Sequence, residues 1–281
     1  MFFARPVLGI QLEELDAARQ WRVEKIEISG NTKFAESEIL NELLTKVRPW
    51  YLFWEEAENS FDPITFREDL ERIRRFYEAR GYYQTRVSYD LTADPQSGQV
   101  EVKIEVFEGP PVIVSEVHVD ISDGSSLSPP QLPLKQGEIF VEESYRKGEE
   151  TLRNFFLEHG YAHVTTERRA EVNLDQNQVI VWYQADPGPL SVFGETTVSG
   201  TDNVDPEIVL RELSYQPGEI FSSAKIAESQ AKILALDLFG LVRIAPKEVS
   251  GKPNIVPMEV QVSEKEPREI RVGIGYGTES G

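Results

Sequence analysis

His118, His159 and His163 are the only imidazoles in the chain, and His159 and His163 lie four residues apart. Two imidazoles at that spacing on one helical face can hold a divalent metal. Gly160 falls between them, and a helix is expected to stop there, so the rings would not share a face and are read as structural. The run GIGYG, Gly273 to Gly277, resembles a phosphate-cradling loop, yet only four residues follow it and no helix N-terminus can receive a phosphate. Carboxylate pairs such as Glu55-Glu56 and Glu142-Glu143 have no adjacent nucleophile or base and read as solvated faces. No cysteine occurs, which removes thiolate catalysis, disulfides and Cys-ligated metals together. No catalytic, cofactor-binding or metal-binding residue is assigned, and the chain is not read as an enzyme.

Its 281 residues carry 29 Lys plus Arg against 48 Asp plus Glu, a formal charge of -19 that repels phosphate backbones. Nucleic acid is therefore not an expected partner. No apolar run approaches the 18 or so residues of a transmembrane helix. Residues 1–20 have neither a basic n-region nor an A-x-A-like site and are read as an N-terminal extension.

The elements that position these residues recur with one period. Gly81, Gly160 and Gly240, each near the end of an amphipathic helix, stand 79 and 80 residues apart. Phe61, Phe140 and Phe221 precede them by 20, 20 and 19 residues, and Pro110, Pro189 and Pro267 close the units at steps of 79 and 78. Three landmarks sharing one period mark a tandem array of three units.

Within the first unit, VEKIEIS alternates as a strand, and Gly30-Asn31 turns it. ESEILNELL then places Ile39, Leu40, Leu43 and Leu44 on one helical face. Asp62-Pro63 supplies an N-cap and first helical residue for a second helix burying Phe66, Leu70, Ile73, Phe76 and Tyr77. Gly81 ends that helix in left-handed geometry. Two strands follow, Thr85 to Leu91 and Val100 to Val106, joined by DPQSG. The third unit repeats the order, with Asp205-Pro206 capping a helix that carries Ile208, Val209 and Leu213. In the second, SSLSPPQLPLK replaces the first helix, and three prolines predict a loop or a single turn.

Strand, helix, helix, strand, strand order, the segments SGNTKF and VSGTDNV, and the GY or FG pivot resemble the polypeptide-transport-associated (POTRA) domains of the BamA/TamA outer-membrane assembly superfamily. The count of three resembles the TamA type. The fold implied is α+β, with three tandem domains at 21–109, 110–188 and 189–267, each a mixed three-stranded sheet covered by two helices on one face. After Pro267, Ile270, Val272, Ile274 and Tyr276 alternate with Arg271, Gly273, Gly275 and Gly277, the pattern of a transmembrane β-strand, so residues 268–281 are expected to begin a β-barrel that continues beyond this chain.

In POTRA domains the third strand is central, and the second lies at an edge whose unpaired N–H and C=O groups can accept an extended peptide. The resemblance points to Thr85, Val87 and Tyr89, to Val164, Thr166 and Arg168, and to Val242 and Ile244, in edges running 85–91, 164–171 and 242–249. Trp50, Tyr51, Phe53 and Trp54 carry large apolar area and either cap the first core or form an exposed partner patch, and Gly109-Pro110 and Gly188-Pro189 are candidate hinges. Unfolded outer-membrane proteins or autotransporters are the expected clients, a TamB-like periplasmic partner the expected dock, and the periplasmic face of a bacterial outer membrane the expected place. The alternative is a two-partner secretion transporter with one dedicated substrate.

Overall fold

The computed structural model describes residues 9–10, 12–15, 19–47, 61–122, 127–247, 249 and 251–265. The aromatic patch Trp50 to Trp54 and the barrel-like strand Ile270 to Tyr276 lie outside the described residues. The chain divides into two compact units, one comprising Met1–Val119, Gln131–Glu149 and Arg168–Tyr183, the other Asp120–Pro130, Glu150–Glu167 and Gln184–Gly281. The division runs through the second repeat.

Among the described residues, ten strands form three mixed sheets. The first has order β1-β3-β4-β2, from β1 (Gly9–Ile10), β2 (Arg22–Ser29), β3 (Arg86–Asp94) and β4 (Gln99–Phe107). The second has order β5-β7-β6, from β5 (Ile113–Ile121), β6 (Thr165–Asn173) and β7 (Gln178–Asp186). The third has order β8-β10-β9, from β8 (Val192–Ser199), β9 (Phe239–Pro246) and β10 (Ile255–Glu264). β2 and β8 run parallel to the central strands β4 and β10, a connection that requires a crossover, and helices supply it. The central strands bury alternate residues: Val100, Val102, Ile104 and Val106 in β4, Val179, Val181, Tyr183 and Ala185 in β7, Val256, Met258, Val260 and Val262 in β10. One face of each packs against apolar side chains; the other is mainly polar in β4 and β10, while in β7 it also carries the half-buried Ile180 and Trp182.

In the first unit, α2 (Pro63–Glu78) begins where the Asp62 carboxylate accepts hydrogen bonds from the amides of Ile64 and Thr65, and Pro63 fills the first helical position. It buries Phe66, Ile73, Phe76 and Tyr77 in the core shared with β3 and β4, with Leu70 half-buried at the margin. α1 (Glu36–Glu42) is shorter than ESEILNELL suggests. It ends at Glu42, Leu43 turns to an extended backbone, and Leu44 is carried off the expected face to 62% exposure. Gly30 has φ of +80°, and a Cβ there would stand 2.1 Å from the Val106 carbonyl oxygen, so the turn after β2 admits only glycine.

In the second unit, α4 (Pro206–Arg211) is capped by Asp205, and α5 (Ser223–Ala235) packs Ile233 on the third sheet. The third pivot glycine is a correction. Gly240 lies inside β9, has no positive φ, and a Cβ there would meet only the Lys265 side chain, at an ordinary 3.8 Å. The left-handed residue after α5 is Asp237 (φ 58°), so β9 starts at Phe239 and stops at Pro246, three residues earlier than 242–249 at each end. Between β5 and α3 (Glu142–Glu158) no helix occurs among the described residues, as the prolines predict, although Leu132 and Leu134 still reach the interior.

Candidate functional site

The second strand of each repeat lies outside the central strand: β3, β6 and β9 flank β4, β7 and β10. The outer edges of β6 and β9 have no neighbouring strand among the described residues. The opposite borders are partly occupied by the chain itself. Isolated bridges join Ile113 to Ile139 and Val192 to Ile220, so segments ahead of the long helices pair with the starts of β5 and β8. Val114 N–H donates to Glu138 O and Gly137 N–H to Val114 O, both at 2.8–2.9 Å; Phe193, Glu219 and Gly218 repeat the pattern. This pairing makes the second strand the available border in the later repeats.

The candidate residues divide by role. Val87 and Tyr89 lie on β3 opposite Val106 and Ile104, and Thr166 and Arg168 lie on β6. Val242 and Ile244 lie on β9 opposite Val262 and Val260, with both side chains buried. Their side chains face the core, so they can offer a foreign strand only main-chain groups. Arg168 is engaged by Glu149 at 3.4 Å and lies 5.0 Å over the Tyr145 ring. Thr85 and Val164 fall one residue ahead of their strands. The buried Thr85 hydroxyl lies within hydrogen-bond reach of the Tyr82 and Glu108 carbonyls, sharing its one hydrogen between them, and Val164 N–H donates to Tyr161 O, so both belong to turns and not to edges.

The first edge carries a second correction. β1 pairs antiparallel with β3, with Gly9 opposite Thr92 and Ile10 opposite Leu91. Leu12 and Leu15, in and just after a short 3₁₀ turn, are buried in the same core. The residues expected to form a mere extension thus cover part of β3.

Consecutive repeats meet through backbone. Gly81 (φ 92°) and Gly160 (φ 97°) offer their carbonyls to the amides of Val112 and Ser191, each at 2.8 Å. A Cβ on Gly81 would reach 2.5 Å from Ile139 and 2.9 Å from the Phe140 carbonyl oxygen; on Gly160 it would reach 2.7 Å from Leu190 and 2.8 Å from Ile220. Three residues beyond each glycine, a side chain grips the hairpin turn of the next repeat: Gln84 Nε2 donates to Leu174 O and Asn177 Oδ1, and His163 Nε2 donates to Pro253 O at 3.0 Å. His163 is therefore a junction residue. His159 Nδ1 lies 2.7 Å from Phe155 O, and His118 stacks on Trp182 beside Glu116. Gly109 and Gly188 adopt φ of 71° and 68° beside these contacts.

Two carboxylates hold the turns after the first strands, a role invisible in the sequence pattern. Glu264 accepts from the amides of Val204, Asn203 and Asp202, and these backbone bonds hold its carboxyl down to about 2. Glu108 is pushed up by burial, but bonds from the Thr32 hydroxyl, Lys33 N–H and the Tyr77 hydroxyl outweigh this and hold it below the ordinary carboxylate range. Among the described residues no group of three or more His, Cys, Asp or Glu is placed to hold a metal, and no helix is long and apolar enough to cross a membrane.

Comparison with known proteins agrees with this architecture. The family described as POTRA, surface antigen variable number repeat, matches residues 21–109 and 191–265. The outer membrane protein assembly factor BamA of Neisseria meningitidis is 21% identical over 275 residues, covering 95% of this chain and 34% of that protein. BamA of Buchnera aphidicola is 23% identical over 270 residues, covering 92% of this chain and 42% of that protein. The chain thus spans about a third to two fifths of the length of these relatives. The crystal structure of Haemophilus influenzae BamA POTRA3-5 aligns with a TM-score of 0.56 at 17% identity, covering 88% of this chain and 97% of that one, a likeness of fold. With a family match over more than half of its length, three mixed sheets under helices and two backbone-linked junctions, this chain belongs to the POTRA family of the BamA/Omp85 superfamily.

Proposed function

We propose that this chain is the periplasmic, polypeptide-handling region of a bacterial outer-membrane protein assembly factor, and that it receives unfolded outer-membrane proteins by adding their strands to its sheet edges. The observation that carries the reading is the outer edge of β9, which no strand flanks among the described residues and whose core-facing side chains leave main chain as its available chemistry. Four or so added main-chain bonds, each netting about 0.5–1.5 kcal/mol, must offset the ordering of the peptide. Binding is then weak and largely independent of sequence, which suits a module that passes chains onward. The boundaries between repeats fall at Gly109-Pro110 and Gly188-Pro189, which serve as the hinges. The finer assignment is to the TamA type, with a TamB-like periplasmic protein docking on the first repeat.

A photoreactive residue at Arg243, exposed in mid-β9, tests the edge. Capture of a urea-unfolded outer-membrane β-barrel protein at Arg243, absent at control positions on the outer face of α5, supports the reading. Equal labelling at both overturns it. Co-purification of a TamB-like protein, lost when residues 21–109 are removed, tests the finer assignment, and no such loss sinks it.

A further inference from the structure

We propose that the outer edge of β3 is a strand-docking site that the chain's own β1 occupies and gates; the proposal rests on the edge reading above and deepens it for the first repeat. β1 is an extended segment seated on a second-strand border, the one such occupant among the described residues. It fixes two properties of any strand that replaces it. The direction is antiparallel, since Gly9 faces Thr92 and Ile10 faces Leu91. The pattern is alternating, because directly opposed residues share a face. Leu91 points into the core at 1% exposure, whereas Asp90 is exposed. A replacing strand therefore needs an apolar residue opposite Leu91 and tolerates polar ones on either side, the period-2 alternation of a β-barrel strand.

β1 is suited to leave without the rest of its segment. Its pairing spans two residues, while Leu12 and Leu15 anchor the following turn in the core. Once peeled away it stays tethered a few residues from its site, a competitor at roughly millimolar effective concentration. β6 and β9 have no such occupant among the described residues. The first repeat thus admits strands under competition, and the third admits them freely.

The test uses p-benzoylphenylalanine at Asp90, and separately at Arg243, in the full chain. The probe is a biotinylated nine-residue peptide of alternating valine and threonine at roughly 100 µM. A chain starting at residue 11, which keeps Leu12 and Leu15, should raise capture at Asp90 about tenfold and leave Arg243 unchanged, because a millimolar tethered competitor has been removed. The pair Gly9→Cys and Thr92→Cys, in a chain with no other cysteine, should abolish capture at Asp90 when oxidised and restore it on reduction. Equal capture at Asp90 in all forms, or a disulfide that never closes, overturns the gate. Capture at Arg243 with none at Asp90 in any form also overturns it while the edge reading stands; capture at neither position removes both.

Discussion

The first and third repeats hold the turn after their shorter helix with a buried polar side chain, and among the described residues the second repeat has neither that helix nor that side chain. Asp69, in the middle of α2, is fully buried and accepts from the amides of Leu44 and Thr45, each at 2.8 Å, and from Arg72. Ser229, at the corresponding place in α5, accepts from Ser214 N–H at 2.8 Å. The corresponding residue of α3 is Gly148. The Tyr183 ring fills its space so closely that a Cβ would meet the hydroxyl oxygen at 2.4 Å, and that hydroxyl donates to Tyr145 O. In β4 and β10 the place of Tyr183 is taken by the smaller Ile104 and Val260. A large aromatic on the central strand thus offsets the missing polar clamp. The helical layer of this fold can be rebuilt while the order of the sheet and the junction contacts are kept.

Breaking the clamp should have the largest effect. Asp69→Ala strands the amide of buried Thr45 and the half-covered amide of Leu44, at about 1–3 kcal/mol for the buried one and less for the other, so a loss of about 3 kcal/mol in urea unfolding and of hydrogen-exchange protection at Leu44 and Thr45 is expected. An unchanged urea midpoint would show that the turn holds itself. Gly148→Ala should cost about 2 kcal/mol by overpacking, and less when combined with Tyr183→Ile, which restores the residue type of β4. Strict additivity of the two would break the proposed compensation. Ser229→Ala strands one amide and should cost about 1–2 kcal/mol, read as faster exchange at Ser214. Tyr183→Phe keeps the ring and removes one hydrogen bond, so about 1 kcal/mol is expected from the same urea titration.

The smallest effect separates the third repeat from the second by pH. Glu264 is held down to about 2 in the folded chain against an ordinary value of about 4.3. Its contribution is fully present above the ordinary value and is lost as pH falls from there through about 2. Glu264→Gln should flatten the acid limb of the stability profile in that window. Pro187 stands at the corresponding place of the second repeat, so Pro187→Ala should leave the acid limb alone. An unaltered profile in Glu264→Gln would show that the turn at 202–204 needs no carboxylate.

The period of the sequence exposed the sheets, the long helices and two of three pivots because those features repeat. It failed where similar letters serve different backbones. Gly240 resembles Gly81 and Gly160 in its surroundings, but left-handed geometry falls on Asp237, and no following amide or bridge crowds that position. Leu44 fits the helical stripe, yet the Asp69 carboxylate draws its amide out of the helix. Asp69 itself reads as a solvated residue among Glu68, Glu71 and Arg72, since only burial reveals its task. The edge strands were legible through family likeness, whereas β1, two residues long, carries no periodicity to notice.

The contact between repeats at Gly81 and Gly160 has an evolutionary consequence. A plug made of a peptide carbonyl and a socket made of a peptide amide need no matched pair of side chains, so a duplicated repeat arrives already able to join its neighbours. Lineages can lengthen or shorten such an array by whole copies, leaving selection to spare one hydrogen atom where a methyl would not fit and to tune the side-chain grips made by Gln84 and His163.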